Sequence, residues 1–130
     1  MELNPQPVIF VVEDNLMYQS LIAKELESLG GDIHFYTTGE ACLVELNKKP
    51  SVIVMDYNLE GEMTGLDTLQ RVRHTHPDVY VILFSSQQGL NTKEVLLQYG
   101  SFDFLEKNSL SLRTLRQMVD CVTSPHGKSN

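Results

Sequence analysis

Apolar residues in this chain follow two alternating patterns. Three short runs, Val8 to Val12, Val52 to Met55 and Val79 to Phe84, are apolar without interruption, the pattern of strands covered on both faces in a parallel sheet. Two other runs are interrupted: Ile33 to Tyr36 carries His34, and Phe102 to Leu105 carries Asp103. A polar residue at such a place suits a strand with one wetter face, so these two belong at the sheet edges. With strands numbered along the chain, the predicted order is 2-1-3-4-5, with a switch point between strands one and three.

Between the runs the spacing is helical. Tyr18, Leu21, Ile22, Leu26 and Leu29 recur on one helix face, and Gly30-Gly31 ends that helix. Thr37-Thr38-Gly39-Glu40 reads as a capping box opening a helix through about Lys48, with Pro50 helping to end it. Leu66, Leu69 and Val72 give the third helix its inward face, limited by Pro77. Asn91 with Glu94 can cap a short fourth helix over Thr92 to Tyr99, before Gly100. The fifth helix is expected from Leu110 to Val122, with Leu112, Leu115, Met118, Val119 and Val122 inward. The fold class is therefore α/β: a doubly wound, five-stranded parallel sheet with five helices.

The strand ends carry the chemistry. Glu13 and Asp14 follow the first run, Asp56 the second, Ser85 the third, and Lys107 comes just after the last. In an open α/β sheet the ligand site lies beyond the carboxyl ends of the strands, so these residues should share one pocket. Three close carboxylates repel one another, and an all-oxygen set that tolerates ionisation calls for a hard cation such as Mg2+. Glu13 and Asp14 would hold the metal, leaving Asp56 as a carboxylate nucleophile for phosphorus. Lys107 and Ser85 would meet the charge on the phosphoryl oxygens.

At this point the chain resembles the receiver domain of two-component response regulators, within the CheY-like superfamily and its flavodoxin-like fold. The residues that carry the resemblance are V-V-E-D-N at 11–15, V-M-D-Y-N-L at 54–59, G-L at 65–66, I-L-F-S-S at 82–86 and G-S-F-D-F-L-E-K at 100–107. It covers residues 7–122, and it is the order and spacing of the pieces that is specific. The resemblance implies a receiver (response regulatory) domain over 1–122, with 123–130 as a disordered tail or the start of a linker. It implies Asp56 as phosphoacceptor, Glu13, Asp14 and Asp56 with the backbone carbonyl of Asn58 as ligands of Mg2+ or Mn2+, and Ser85 and Lys107 as phosphoryl-binding groups. Ser85 and Phe104 become the switch pair, acting on a face built from the fourth helix, strand five and the fifth helix, with Lys93, Arg113, Arg116 and Asp120 on it. Asn58 and Gln87 become the residues that tune dephosphorylation.

The same resemblance implies partners: a histidine kinase or histidine phosphotransfer protein upstream, a protein effector or appended output domain downstream, and a phosphorylation-dependent homodimer. It implies a signalling switch rather than an enzyme. Two departures stand out. Asn108 occupies the place after the lysine where the family usually has proline, so the Lys107–Asn108 bond is expected to be trans. Leu59-Glu60-Gly61 stands where the family often has proline after the nucleophile.

Composition narrows the reading. A chain of 130 residues is one domain, and its net charge of -7 argues against nucleic acid as a direct ligand. Met1 to Pro7 lacks the basic and apolar segments of a signal peptide, and no run reaches membrane-spanning length, which points to the cytoplasm. Cys42 and Cys121 lack metal-ligand spacing and read as buried or inert thiols in helices. His74 and His76 fall at a helix C-terminus, where cationic side chains complement the dipole. A flavodoxin would need a hydroxyl- and Gly-rich phosphate cradle in place of Glu13-Asp14-Asn15. An Asp-based phosphohydrolase would commonly have a second Asp where Asn58 stands. The alternative is a phosphorylation-independent docking module on the same fold.

Overall fold

The computed structural model describes residues 6–86, 103–108 and 110–124. The strands are β1 (Val8–Val12), β2 (Asp32–Tyr36), β3 (Val52–Asp56), β4 (Tyr80–Ser85) and β5 (Asp103–Glu106). They form one parallel sheet in the order β2-β1-β3-β4-β5, as the run pattern predicts. The described helices are α1 (Leu16–Leu26), α2 (Gly39–Leu43), α3 (Gly65–Thr75) and α4 (Ser111–Thr123). The helix expected over Thr92 to Tyr99, Lys93, Phe102 and Gln87 lie outside the described residues, as do 125–130 of the expected tail.

Strand side chains alternate between faces, and the alternation sorts the core into two layers. Phe10, Val12, Ile53, Met55, Val81 and Leu83 pack with Cys42 of α2 and with Leu69 and Val72 of α3. Ile9, Val11, Val52, Val54, Ile82 and Phe84 pack with Ile22 and Leu26 of α1 and with Leu115 and Val119 of α4. All of these side chains are buried, and each buried Leu, Ile or Phe contributes about 1.5–3 kcal/mol relative to exposure. The three central strands are buried apart from Val8 and Tyr80, which open β1 and β4, while β2 and β5 keep the mixed exposure expected of edges.

Several local expectations are corrected. The α2 cap sits one residue later than the capping box suggests: Thr38, not Thr37, accepts from a helical N–H, that of Ala41 at 3.1 Å. The helix stops at Leu43, not near Lys48, because the hydrogen bonds tighten to three-residue steps. Glu45 N donates to Cys42 O, Lys48 N to Glu45 O and Lys49 N to Leu46 O. A reciprocal capping box is found instead at α3, where Thr64 and Asp67 satisfy each other's backbone N–H groups. Leu21 and Val122, expected inward, are 43% and 36% exposed because they lie on the flanks of their helices. Cys42 is buried and its thiol is pushed up to about 12 by burial. Cys121, by contrast, is exposed on α4.

Candidate functional site

The sheet's hydrogen bonding continues one residue past the strands, which fixes the residues that follow. Glu13 N donates to Tyr36 O at 2.9 Å, Tyr57 N to Phe84 O at 2.8 Å and Lys107 N to Ser85 O at 2.7 Å. Strand register then places side chains by parity. Val54 precedes Asp56 by two, Val11 precedes Glu13 by two, and Leu105, paired with Phe84, precedes Lys107 by two. These three polar residues therefore emerge on the α1/α4 side. Ser85 follows Leu83 by two, and Leu83 pairs with Phe104, which puts Ser85 and Phe104 on the α2/α3 side.

Glu13, Asp14 and Asp56 each bring a carboxylate oxygen to a common point, all within 4.8 Å of one another. Glu13 is 1% and Asp56 4% exposed. Their orientations are set largely by nearby backbone. Asn15 N donates to Glu13 Oε2 at 3.1 Å, Glu60 N to Asp14 Oδ2 at 2.9 Å, and Asn58 N to Asp56 Oδ1 at 2.9 Å. Asn15 also caps α1, its Oδ1 accepting from Tyr18 N at 2.9 Å, so the helix that follows the acidic pair starts where the pair needs it. Gly65 lets the first turn of α3 lie against Asp56 and Tyr57; a Cβ there would collide with the Asp56 carbonyl.

Lys107 closes the cluster. Its Nζ lies 2.9 Å from Glu13 Oε1 and 3.4 Å from Asp56 Oδ2, with 14% of its side chain exposed. The same ammonium sits over the Tyr18 ring, 4.5 Å from the centroid. Burial pushes the Glu13 carboxyl above its usual 4.5, and repulsion from Asp56 adds to this against the Lys107 hydrogen bond. Burial also works against the Lys107 charge, but the Glu13 hydrogen bond and the two carboxylates outweigh it and hold the ammonium above 10.5. One ammonium does not balance three carboxylates. The cluster thus keeps a net negative charge, and its oxygen donors fit a hard divalent ion such as Mg2+ or Mn2+.

Ser85, fully buried, donates its hydroxyl hydrogen bond to Asn58 Oδ1 at 3.0 Å. Phe104 is partly buried against the α2/α3 core layer. Arg116, expected on the face built from the fourth helix, strand five and the last helix, turns instead to α1, where its Nε meets Glu25 Oε2 at 3.0 Å. Among the described residues every peptide bond is trans, Lys107–Asn108 included. Asn108 Oδ1 accepts from Leu110 N at 2.9 Å and Ser111 N at 3.1 Å, while Ser111 Oγ accepts from Asn108 N at 3.0 Å. This reciprocal turn opens α4 directly behind the lysine.

Sequence reasoning missed Tyr18 and the Asn108 turn as parts of the site, and the bond between the Asn58 carboxamide and Ser85. Tyr18 lies four residues after Asp14, one helical turn, and Asn108 stands three before Ser111. Both spacings are readable signals. The Asn58–Ser85 bond has no such signal, since it joins the turn after β3 to the last residue of β4.

The model of the response regulator receiver domain family matches residues 9–120. The luminescence regulatory protein LuxO of Vibrio campbellii is 36% identical over 98 residues, which is 75% of this chain and 21% of LuxO; the chain thus spans about a fifth of the length of that relative. The signal receiver domain of a putative LuxO repressor protein from Vibrio parahaemolyticus superposes with a TM-score of 0.82 at 25% identity, covering 95% of this chain and 94% of that one. The receiver domain of the sensor histidine kinase PA1611 from Pseudomonas aeruginosa, solved with magnesium coordinated in its active-site cleft, has the same fold, with a TM-score of 0.78 at 24% identity over 92% of this chain and 98% of that one. No described helix is long and apolar enough to cross a membrane. With its 2-1-3-4-5 sheet and the acidic cluster at the carboxyl ends of the strands, this chain belongs to the response regulator receiver domain family.

Proposed function

We propose that this receiver domain is a phosphorylation switch in which Asp56 is the acceptor. A carboxylate oxygen of Asp56 attacks the phosphorus of a phosphohistidine, the P–N bond breaks, and its electron pair stays on the leaving imidazole. The donor is a histidine kinase or a histidine phosphotransfer protein. Glu13, Asp14, Asp56 and the Asn58 carbonyl hold Mg2+, with Mn2+ as a substitute; bound there, the ion neutralises charge on the phosphoryl oxygens. Lys107 supplies a second positive charge and Ser85 a hydroxyl donor to those oxygens. The observation that carries this reading is the convergence of three carboxylates with the Lys107 ammonium at 2.9 and 3.4 Å.

To reach a phosphoryl oxygen, the Ser85 hydroxyl must leave Asn58, and Phe104 on the same side of the sheet then gains or loses room. That differential interaction is what lets phosphorylation shift a pre-existing equilibrium. The output passes to a protein effector or an appended domain, within the cytoplasm, from a receiver unit spanning 1–122. Incubation with acetyl phosphate and Mg2+, read by intact mass, tests the proposal. One added phosphoryl group is expected on the parent and none on Asp56→Asn. Phosphate retained on that variant defeats the assignment, and an unmodified parent favours the phosphorylation-independent docking module.

A further inference from the structure

We propose that Tyr18 is a positioning residue for the Lys107 ammonium, a role that rests on the reading of Asp56 as phosphoacceptor only for its consequence on rate. Among the described residues the ammonium meets Glu13 Oε1 at 2.9 Å, Asp56 Oδ2 at 3.4 Å and the Tyr18 ring face at 4.5 Å. Two of these are carboxylates that the proposed chemistry engages for itself, as metal ligand and as nucleophile. The aromatic face is the neighbour that chemistry leaves in place.

The ring is well braced for that work. Its backbone N–H is held by the Asn15 cap in the first turn of α1. The ring makes a T-shaped contact with Phe84, centroid to centroid 5.6 Å at an interplanar angle of 72°, and Phe84 pairs with Asp56 in the sheet. A lysine stem has four rotatable carbons and loses much rotamer entropy when fixed. A desolvated aromatic face narrows those rotamers and attracts the charge through the ring quadrupole. Ordinary core packing explains the Phe84 contact but not why the cation sits over the face.

The test compares the full chain with Tyr18→Phe, which keeps the ring, and with Tyr18→Leu and Tyr18→Met, which keep apolar bulk without it. Two apolar variants are used so that poor folding of one leaves the other. The first measurement needs neither metal nor phosphate: hydrogen exchange of the Lys107 ammonium protons, followed by NMR on lysine-labelled protein. The second is the rate of phosphorylation by acetyl phosphate with Mg2+. Tyr18→Phe should match the parent within about twofold in both, while the apolar variants should exchange faster and accept phosphate roughly three- to thirtyfold more slowly, the range a partly desolvated cation–π contact supports. Parent-like exchange in the apolar variants overturns the proposal even if their rates fall, because the ring would then act by packing alone. Faster exchange with a parent-like rate overturns the positioning role as well. A parent that takes no phosphate refutes the Asp56 reading, and the exchange measurement still decides whether Tyr18 holds the lysine.

Discussion

Glu13, Asp56 and Lys107 leave the sheet on the side covered by α1 and α4, whereas Ser85 and Phe104 leave it on the side covered by α2 and α3. The first group is charged, buried and braced by backbone N–H groups, an ion pair and an aromatic ring. In the second group, the serine is tied to Asn58 by a bond between neutral side chains. Neutral hydrogen bonds exchange partners at low net cost, while a buried charge cannot lose its partner cheaply. The α1/α4 side is thus suited to hold fixed charges, and the α2/α3 side is suited to respond.

The largest test of that contrast is Lys107→Ala. Removing the ammonium leaves Glu13 and Asp56 unpaired in a buried site, and urea unfolding should show a loss of about 3 kcal/mol. Ser85→Ala should lose only about 1 kcal/mol; equal losses would erase the distinction between the sides. The pH dependence has a definite sign. Because the folded-state Lys107 lies above 10.5, its stabilisation is complete below that value and fades as pH rises through the folded one, so the gap between parent and variant should narrow only in strong alkali. Lys107→Ala should still accept phosphate but lack the phosphorylation-dependent NMR shifts near Phe104.

A smaller effect is expected from replacing Glu13 and Asp14 together with alanine. Mg2+ affinity, followed by titration, should fall at least about tenfold, or about 1.4 kcal/mol. Unchanged affinity would take the metal role away from the charged side. The smallest effect concerns lifetime. The family resemblance implies that Asn58 and Gln87 tune dephosphorylation, and an amide can orient a water for attack on the aspartyl phosphate without blocking it. Asn58→Arg and Gln87→Arg should each prolong the phosphorylated state severalfold in a phosphate-release assay. If both decay like the parent, these amides do not set the clock.

The strands and their order were readable because burial on both faces leaves unbroken apolar runs and edge exposure leaves His34 and Asp103. The pocket membership of Glu13, Asp56 and Lys107 was readable for the same reason, since each ends or follows such a run. Helix interiors were less readable. Nothing in Leu21 or Val122 records which flank of the helix meets the sheet, and α2 shortens through a change of hydrogen-bond step that composition does not reveal. The Arg116–Glu25 pair was illegible because residues 91 apart in sequence meet only after α1 and α4 dock side by side.

The Glu13–Lys107 contact joins residues 94 apart, and that separation bears on how the protein is born. Synthesis at about 5–20 residues per second leaves roughly 5 to 19 seconds between the emergence of the acid and that of its lysine. During that interval first Glu13 and Asp14 and then Asp56 emerge without their ammonium, and at its end β4 has no β5 beside it. Closing so long a loop is a late, entropy-limited event in a parallel sheet. A nascent chain halted before Lys107 therefore lacks the complete pocket, which defers its assembly until most of this domain has been made.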